Sequence, residues 1–504
     1  MKKVFKNIAL SFSGGGFRAA AYSLGTLSLL EKVGLLESVK AISSVSGGSI
    51  TAVKYAQSQI DHIGFDAFFS QYHGFMINDD LADDSLKNLR SFGGWRDRSN
   101  LHKRPNPINA FSIAYNKFTN NRTFRDLDNA IAQNDTHLER VIINATDFDN
   151  GLSFRFQNTG SNRYRFGNGE LDKSYMAYYD HIKLGDALAA SSAFPGGFEP
   201  IYFPHDFTSV TDENLDPISL MDGGIVDNQG TSSFLTGKAF ADGVDLFLIS
   251  DVSSPYMEKL EPTKRGWISG LISFVFSLPM LLLSIIGVIW SYQLESRLVY
   301  SLFFVVFAIL LTIQVIMFFI SRKVKSMVGS RFRLTLRKMS LGIFLLDRIN
   351  SLIHMTTEVS LKGFRRANAR SIYSDYHSKT ISSMIYQLRC DIDDGKPEGE
   401  NYWKRIENKI GVIPNTIRNL SRKATEFGTT LWFNDASDIK IPTATTLIAC
   451  GEVTACYNLL SFLLVQKAHE LKDSTSPESI LYKDLMKLWR AFGEDPYLLV
   501  NSRK

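Results

Sequence analysis

Three stretches of the sequence carry groups that could together perform acyl transfer. They are Ser13-Gly14-Gly15-Gly16-Phe17-Arg18, Ser44-Val45-Ser46-Gly47-Gly48 and Met221-Asp222-Gly223-Gly224. Ser46 follows a β-rich run, Val39–Val45, and precedes the helical pattern GGSITAVKYAQSQI. A strand-to-helix turn of that kind lifts a side chain clear of a sheet and aims it at the positive end of a helix. The usual spacing is G-x-S-x-G, whereas here Ser44 stands in place of the first glycine. Taken alone, the junction reads equally as a structural turn and as the seat of a nucleophile.

The glycine run Gly14-Gly15-Gly16 follows a candidate strand and exposes successive backbone N–H groups, which bind anions. A phosphate loop fits poorly, because no G-K-[ST] follows and the spacing is not G-x-G-x-x-G. An oxyanion hole fits better, with the amides facing the negative oxygen of an acyl-transfer intermediate. Asp222 precedes two glycines at a strand end. It is either a simple D-G turn or a base for a serine hydroxyl with no histidine required. Among nine histidines, His181 and His205 lie near enough in sequence to Ala190–Phe198 to be rivals for a Ser-His-Asp arrangement, but neither has a motif around it. No H-E-x-x-H pattern occurs, and the three cysteines, Cys390, Cys450 and Cys456, show no CxxC spacing. The expectation is therefore no metal, no cofactor and a reducing compartment.

In this order, GGGFR, SVSGGS and DGG resemble the patatin-like phospholipase family. The block Ala190-Ser191-Ser192-Ala193-Phe194-Pro195-Gly196-Gly197-Phe198 and the run Asn144-Ala145-Thr146-Asp147 are also similar to it. The likeness covers roughly residues 6 to 251 well and the later helices, to about Gln466, loosely. It implies a three-layer α/β/α fold and a Ser–Asp dyad. By this resemblance Ser46 is the nucleophile and Asp222 the general base, while Gly14, Gly15 and Gly16 form the oxyanion hole. Arg18 takes the place of the family's basic residue in the glycine loop, supporting that loop or a substrate phosphate.

The elements that must position these groups read as α/β. Lys6–Phe12, Val39–Val45, Arg140–Ala145, Leu152–Gln157 and Leu246–Ser250 are strand candidates. The helical stretch FRAAAYSLGTLSLLEKVGLL between the first two completes a βαβ unit, so a mainly parallel central sheet is expected. Arg90–Asn109, rich in glycine, proline and arginine, reads as a solvated loop or a contact for lipid head groups. KMSLGIFLLDRINSLIHM and KTISSMIYQLRCDI are expected to be amphipathic helices.

One region departs from the average. Residues 267–290 and 298–320 form two apolar runs free of charge, each of a length to cross a hydrocarbon core of roughly 30 Å. Lys264 and Arg265 precede them, and Arg322, Lys323, Lys325, Arg331, Arg333, Arg337 and Lys338 follow. By the positive-inside rule this predicts a two-helix transmembrane hairpin interrupting the fold, with the catalytic body cytoplasmic and the basic flank against anionic head groups. The expected division is a core over 1–260, the hairpin and its flank over 261–330, and a helical part over 331–504 that completes the core. The net charge of +5 over 504 residues is too mild to point to nucleic acid; an oligomer is compatible with the sequence.

The expected activity is hydrolysis of fatty-acyl esters of phospholipids or lysophospholipids by a membrane-anchored enzyme. The rivals are a catalytically silent scaffold or membrane-perturbing effector, and a hydrolase of neutral lipid esters.

Overall fold

Alternation along the strands decides the layering. In β1 (Ile8–Phe12), Ile8, Leu10 and Phe12 face the larger hydrophobic cluster while Ala9 faces a smaller one. β7 (Leu246–Asp251) repeats this, with Leu246 and Leu248 on the first face and Phe247 and Ile249 on the second. Strands buried on both faces must be covered on both, and helices do so. The computed structural model describes residues 4–78, 81–91, 94–158, 166–210, 215–236, 238–254, 278–291, 301–312, 314–315, 341–389, 406–429 and 440–503. It divides into two compact units, Met1–Pro255 with Gly363–Lys504, and Tyr256–Lys362.

The first unit is an α/β fold on a mixed sheet, parallel through its centre and antiparallel towards one edge. β1 pairs in parallel with β2 (Val39–Val45) and with β7, and β2 pairs in parallel with β3 (Arg140–Asp147). Beyond β3 the sheet turns antiparallel, through β4 (Leu152–Gln157), β5 (Ile201–Phe203) and β6 (Ile218–Asp222). The sequence reading missed β5 and recognised β6 only as the strand end at Asp222, because both are short and lie outside any βαβ repeat.

At the other edge β8 (Thr380–Met384) adds to β7 in parallel. It comes from KTISSMIYQLRCDI, expected to be helical. Tertiary context overrode that pattern, because the free edge of β7 offers Thr380 and Ile381 a ladder that β-branched side chains suit. The other expected helix, in KMSLGIFLLDRINSLIHM, does form, as Leu341–His354.

The helix α1 (Gly16–Lys32) is buried on all sides from Phe17 to Leu30. Its main neighbour is the Thr443–Gln466 helix, from the other side of the insertion in sequence. The two approach through small residues: a methyl group on Gly25 would strike the Ile448 carbonyl, and one on Gly451 the Tyr22 carbonyl. Thr443–Gln466 is the one described helix long and apolar enough to span a bilayer, but 89% of its apolar window is buried within the protein. It is a core helix.

In the second unit, the described parts of the expected hairpin are Leu278–Ser291 and the shorter apolar helix Ser301–Thr312. Fourteen residues rise about 21 Å, less than a hydrocarbon core of roughly 30 Å. The described portions are thus shorter than spanning helices; the remainder of 267–290 and 298–320, and the basic residues 322–338, lie outside the described residues. These two helices pack through Gly287 against the Phe307 ring, and Trp290 meets Phe303 edge-on. Their other faces are exposed, with Ile286 62% and Leu302 65% accessible.

Candidate active site

β2 ends where the site begins. Its last pairing sets Val45 opposite Asn144 of β3, and Ser46 follows at the start of α2 (Gly47–Ile60). β3 runs on to Asp147, and β4 covers its opposite edge from Ile142 to Asp147. The edge vacated by β2 is taken by β6, which arrives antiparallel and sets Asp222 opposite Ala145. The carboxyl ends of β2 and β6 therefore meet head to head along one edge of β3. Their last partners, Asn144 and Ala145, are adjacent residues, a step of roughly 3.3 Å. The strand ends that carry Ser46 and Asp222, 176 positions apart in the sequence, are thereby neighbours on β3.

Ser46 has φ 49° and ψ −120°, a conformation that costs a non-glycine residue about 1–3 kcal/mol and persists only where its surroundings impose it. The backbone of α1 imposes it here. Gly47 lies against the Gly16 backbone so closely that any side chain would collide with the Gly16 carbonyl. The Ser46 amide, past the end of the ladder and before the helix, donates to Ser191 Oγ at 2.8 Å. Ser191 in turn donates to the Asn144 carbonyl at 2.7 Å and meets Ser49 Oγ at 3.0 Å.

The glycine loop stands beside Ser46. A methyl group on Gly14 would come within 3.4 Å of Ser46 Cβ. The three glycines are not equivalent, however. Gly14 donates its N–H to the Asn228 carbonyl at 2.9 Å, so its amide is engaged, contrary to the expectation of three free donors. Among the described residues Gly15 and Gly16 have no such acceptor. They occupy the cap and first position of α1, where helix geometry leaves N–H groups without partners and the dipole favours negative charge.

Arg18 is held by backbone carbonyls beyond the glycine loop. Its guanidinium donates to the carbonyls of Phe427 at 2.8 Å and Val252 at 3.0 Å, and burial lowers its pKa from the ordinary arginine value. Of the two roles expected for it, loop support is the one its contacts serve.

Asp222 is 7% exposed and Ser46 9%, so both are nearly closed to bulk water. Asp222 Oδ1 accepts from the Gly224 N–H at 2.6 Å, which turns the chain sharply after β6. The Asp222 amide donates to the Ala193 carbonyl at 3.0 Å, and its carbonyl accepts from Thr146 Oγ1 at 2.8 Å. The loop that follows is knotted by Asp227, whose carboxylate accepts the amides of Gln229, Gly230 and Ser232. That knot holds Asn228 in place to receive Gly14.

Neither His181 nor His205 hydrogen-bonds to Ser46; His181 is exposed and His205 Nδ1 is buried without a partner. Among the described residues no group of His, Cys, Asp or Glu could hold a metal ion. The arginine-rich stretch Arg90–Asn109 is partly interior: Lys103 forms a fully buried ion pair with Asp186 at 2.8 Å, and Arg104 pairs with Asp206 at 2.6 Å.

Sequence reading missed Ser191, Asn144 and Tyr115 as members of the site. The first two lie in blocks already noticed, but without the fold nothing assigns them a partner. Asn144 Nδ2 donates to Ser43 Oγ and the Ser44 carbonyl, both at 2.9 Å, and so secures the end of β2. Tyr115, on the Pro107–Phe118 helix, has its phenol pushed up to about 12 by burial, with the negative charge of Asp222 adding to the rise.

A family model described as patatin-like phospholipase matches residues 10–235, a span that contains Ser46, Asp222 and the glycine loop. No curated protein matches the sequence. Among solved structures, the crystal structure of VipD from Legionella pneumophila is similar at 11% identity, covering 97% of this chain and 93% of that one with a TM-score of 0.24. At that score the likeness carries no argument of its own. Residues 10–235 of the chain are a patatin-like phospholipase domain, and that family is one of lipid acyl hydrolases.

Proposed function

We propose that the protein is a membrane-attached lipid acyl hydrolase working through a Ser46–Asp222 dyad. The observation that supports this reading is the head-to-head meeting of β2 and β6 on one edge of β3, so that the strand ends carrying a strained serine and a carboxylate are neighbours. Asp222 takes the hydroxyl proton as Ser46 Oγ attacks the ester carbonyl carbon. The carbonyl oxygen becomes an oxyanion within reach of the Gly15 and Gly16 amides at the start of α1. Collapse of the intermediate breaks the bond to the leaving alcohol, which receives the proton from Asp222. Water, deprotonated by the same carboxylate, then attacks the carbonyl carbon of acyl-Ser46; the bond to Ser46 Oγ breaks, Asp222 returns the proton to that oxygen, and the fatty acid is released. Gly14 serves this site by lacking a side chain and by tying the loop to Asn228.

The substrate class is fatty-acyl esters of phospholipids or lysophospholipids, which the family match and the apolar helices of the insertion both favour. Apolar residues exposed in contiguous patches mark surfaces that meet lipid or protein. On Leu278–Ser291 these include Leu282, Ile286 and Ile289, each more than half accessible. Embedded in a bilayer, they would hold the enzyme where its substrate is concentrated. The test is release of fatty acid from phospholipid vesicles by the full-length protein. Ser46→Ala and Asp222→Ala should each lose nearly all activity, and retention of wild-type rates by either would exclude the dyad. A silent scaffold would fail to label at Ser46 with a lipid-like fluorophosphonate. Neutral esters cleaved faster than phospholipids would redirect the substrate assignment.

A further inference from the structure

We infer that Ser191 is a positioning residue that sets the nucleophile, and that the end of its helix gauges the separation of the two members of the dyad. The inference rests on the dyad reading given above. The Leu184–Ser192 helix ends beside both strand ends. From this one short stretch, Ser191 Oγ accepts the Ser46 amide at 2.8 Å and the Ala193 carbonyl accepts the Asp222 amide at 3.0 Å. Two residues of chain thus tie down the backbones of nucleophile and base together.

The third bond of Ser191 closes the arrangement. Its hydroxyl proton goes to the Asn144 carbonyl at 2.7 Å, leaving its oxygen lone pairs to accept from Ser46 N–H and from Ser49 Oγ at 3.0 Å. Asn144 is the last β3 partner of β2, and its neighbour Ala145 is the partner of Asp222. A methyl group on Gly223 would press on that same Asn144 carbonyl. Ser191 is fully buried, so water has no route to replace its oxygen. Without it the Ser46 amide would be left without an acceptor at a backbone conformation that few residues adopt unaided. The side chain would then sample orientations away from Asp222 and the Gly15 and Gly16 amides. A displacement of about 1 Å at a reacting atom can cost on the order of a hundredfold in rate.

The experiment compares Ser191→Ala, Ser191→Thr and Ser191→Cys with wild type in the full-length protein. Measured quantities are kcat and KM on phospholipid, the rate of Ser46 labelling by a fluorophosphonate, and the melting temperature. Ser191→Ala should lower kcat and the labelling rate together by about 10- to 100-fold, with KM changed less than threefold. Ser191→Thr, which keeps the oxygen, should recover most of the rate. If Ser191→Ala does not fold, Ser191→Cys, whose sulfur is a weak acceptor, should fall in kcat and labelling while Ser191→Thr does not. Unchanged kcat and labelling in a folded Ala or Cys variant would overturn the inference, as would a loss confined to KM or a loss equal in Ser191→Thr. Activity persisting in Ser46→Ala would instead overturn the dyad reading, whatever the Ser191 variants do.

Discussion

At the scale of single residues, the site depends on where hydrogen-bond donors are spent. Gly14 and Gly16 are alike in the sequence, yet one amide is committed to Asn228 and the other opens a helix. Asp222→Asn keeps the shape of the side chain and its acceptor for Gly224 but cannot take a proton. It should lower kcat by about 10²- to 10⁴-fold, the usual contribution of a general base, with little change in melting temperature. Kinetics on phospholipid vesicles together with a thermal melt would check both halves of this. Gly47→Ala should behave differently. Its methyl would meet backbone, which cannot swing aside as a side chain can. We expect a loss of about 3 kcal/mol in stability together with loss of labelling at Ser46, measured by denaturant unfolding.

At the scale of elements, α1 joins parts of the chain that sequence separates. Its first turn carries the Gly15 and Gly16 amides proposed to meet the oxyanion, its Arg18 grips carbonyls at Val252 and Phe427, and its middle packs on Thr443–Gln466. Arg18→Lys keeps the charge but loses the planar fork that reaches two carbonyls at once. The melting temperature should fall by several degrees, and kcat should fall with it because the start of α1 loses its support. Equal kcat in the two proteins would show that the grip is structural only. The strands were legible to different degrees for a physical reason. β1, β2, β3 and β7 are buried on both faces and read as short runs rich in apolar and β-branched residues. β6 is half-covered and β8 carries a helix-like pattern, so only the edge each joins reveals it.

At the scale of the whole molecule, the portion after the insertion belongs with the portion before it. β8 and Thr443–Gln466 pack within the same unit as β1 and α1, so residues 1–255 expressed alone should aggregate instead of folding, as judged by size-exclusion chromatography.

A buried carboxyl group in that shared core makes stability depend on pH. Glu452 is fully enclosed, accepts from Ser28 Oγ at 2.7 Å, and is raised by burial to about 8. An unfolded chain releases the same proton near pH 4.3. Between those values the folded state holds one proton more than the unfolded state, so stability falls as pH rises through that window and is lowest above about 8. Melting temperatures measured from pH 5 to 9 should decline, and Glu452→Gln should flatten the decline.

For the insertion, replacing Leu282, Ile286 and Ile289 by lysine should move the protein from the membrane fraction to the soluble one while soluble-ester hydrolysis persists. Fractionation of cells after ultracentrifugation checks this.

Local chemistry was written in the sequence. A serine after a buried strand, a glycine run at a helix start and an aspartate before two glycines stand out as candidates, because each depends on its immediate neighbours, although the serine and the aspartate each fit an ordinary turn when taken alone. The sequence also showed that a charge-free apolar region interrupts the chain, since composition alone reports it. Which donors remain free, which way Arg18 turns and what holds the Ser46 amide depended on contacts between residues far apart in the chain. Ser191 reaches Ser46 across 145 positions, and Asp222 meets the end of β2 only because β6 enters antiparallel on the edge that β2 leaves. Such pairings follow from strand order and register, which local sequence patterns do not encode, and for that reason they belong to the tertiary structure alone.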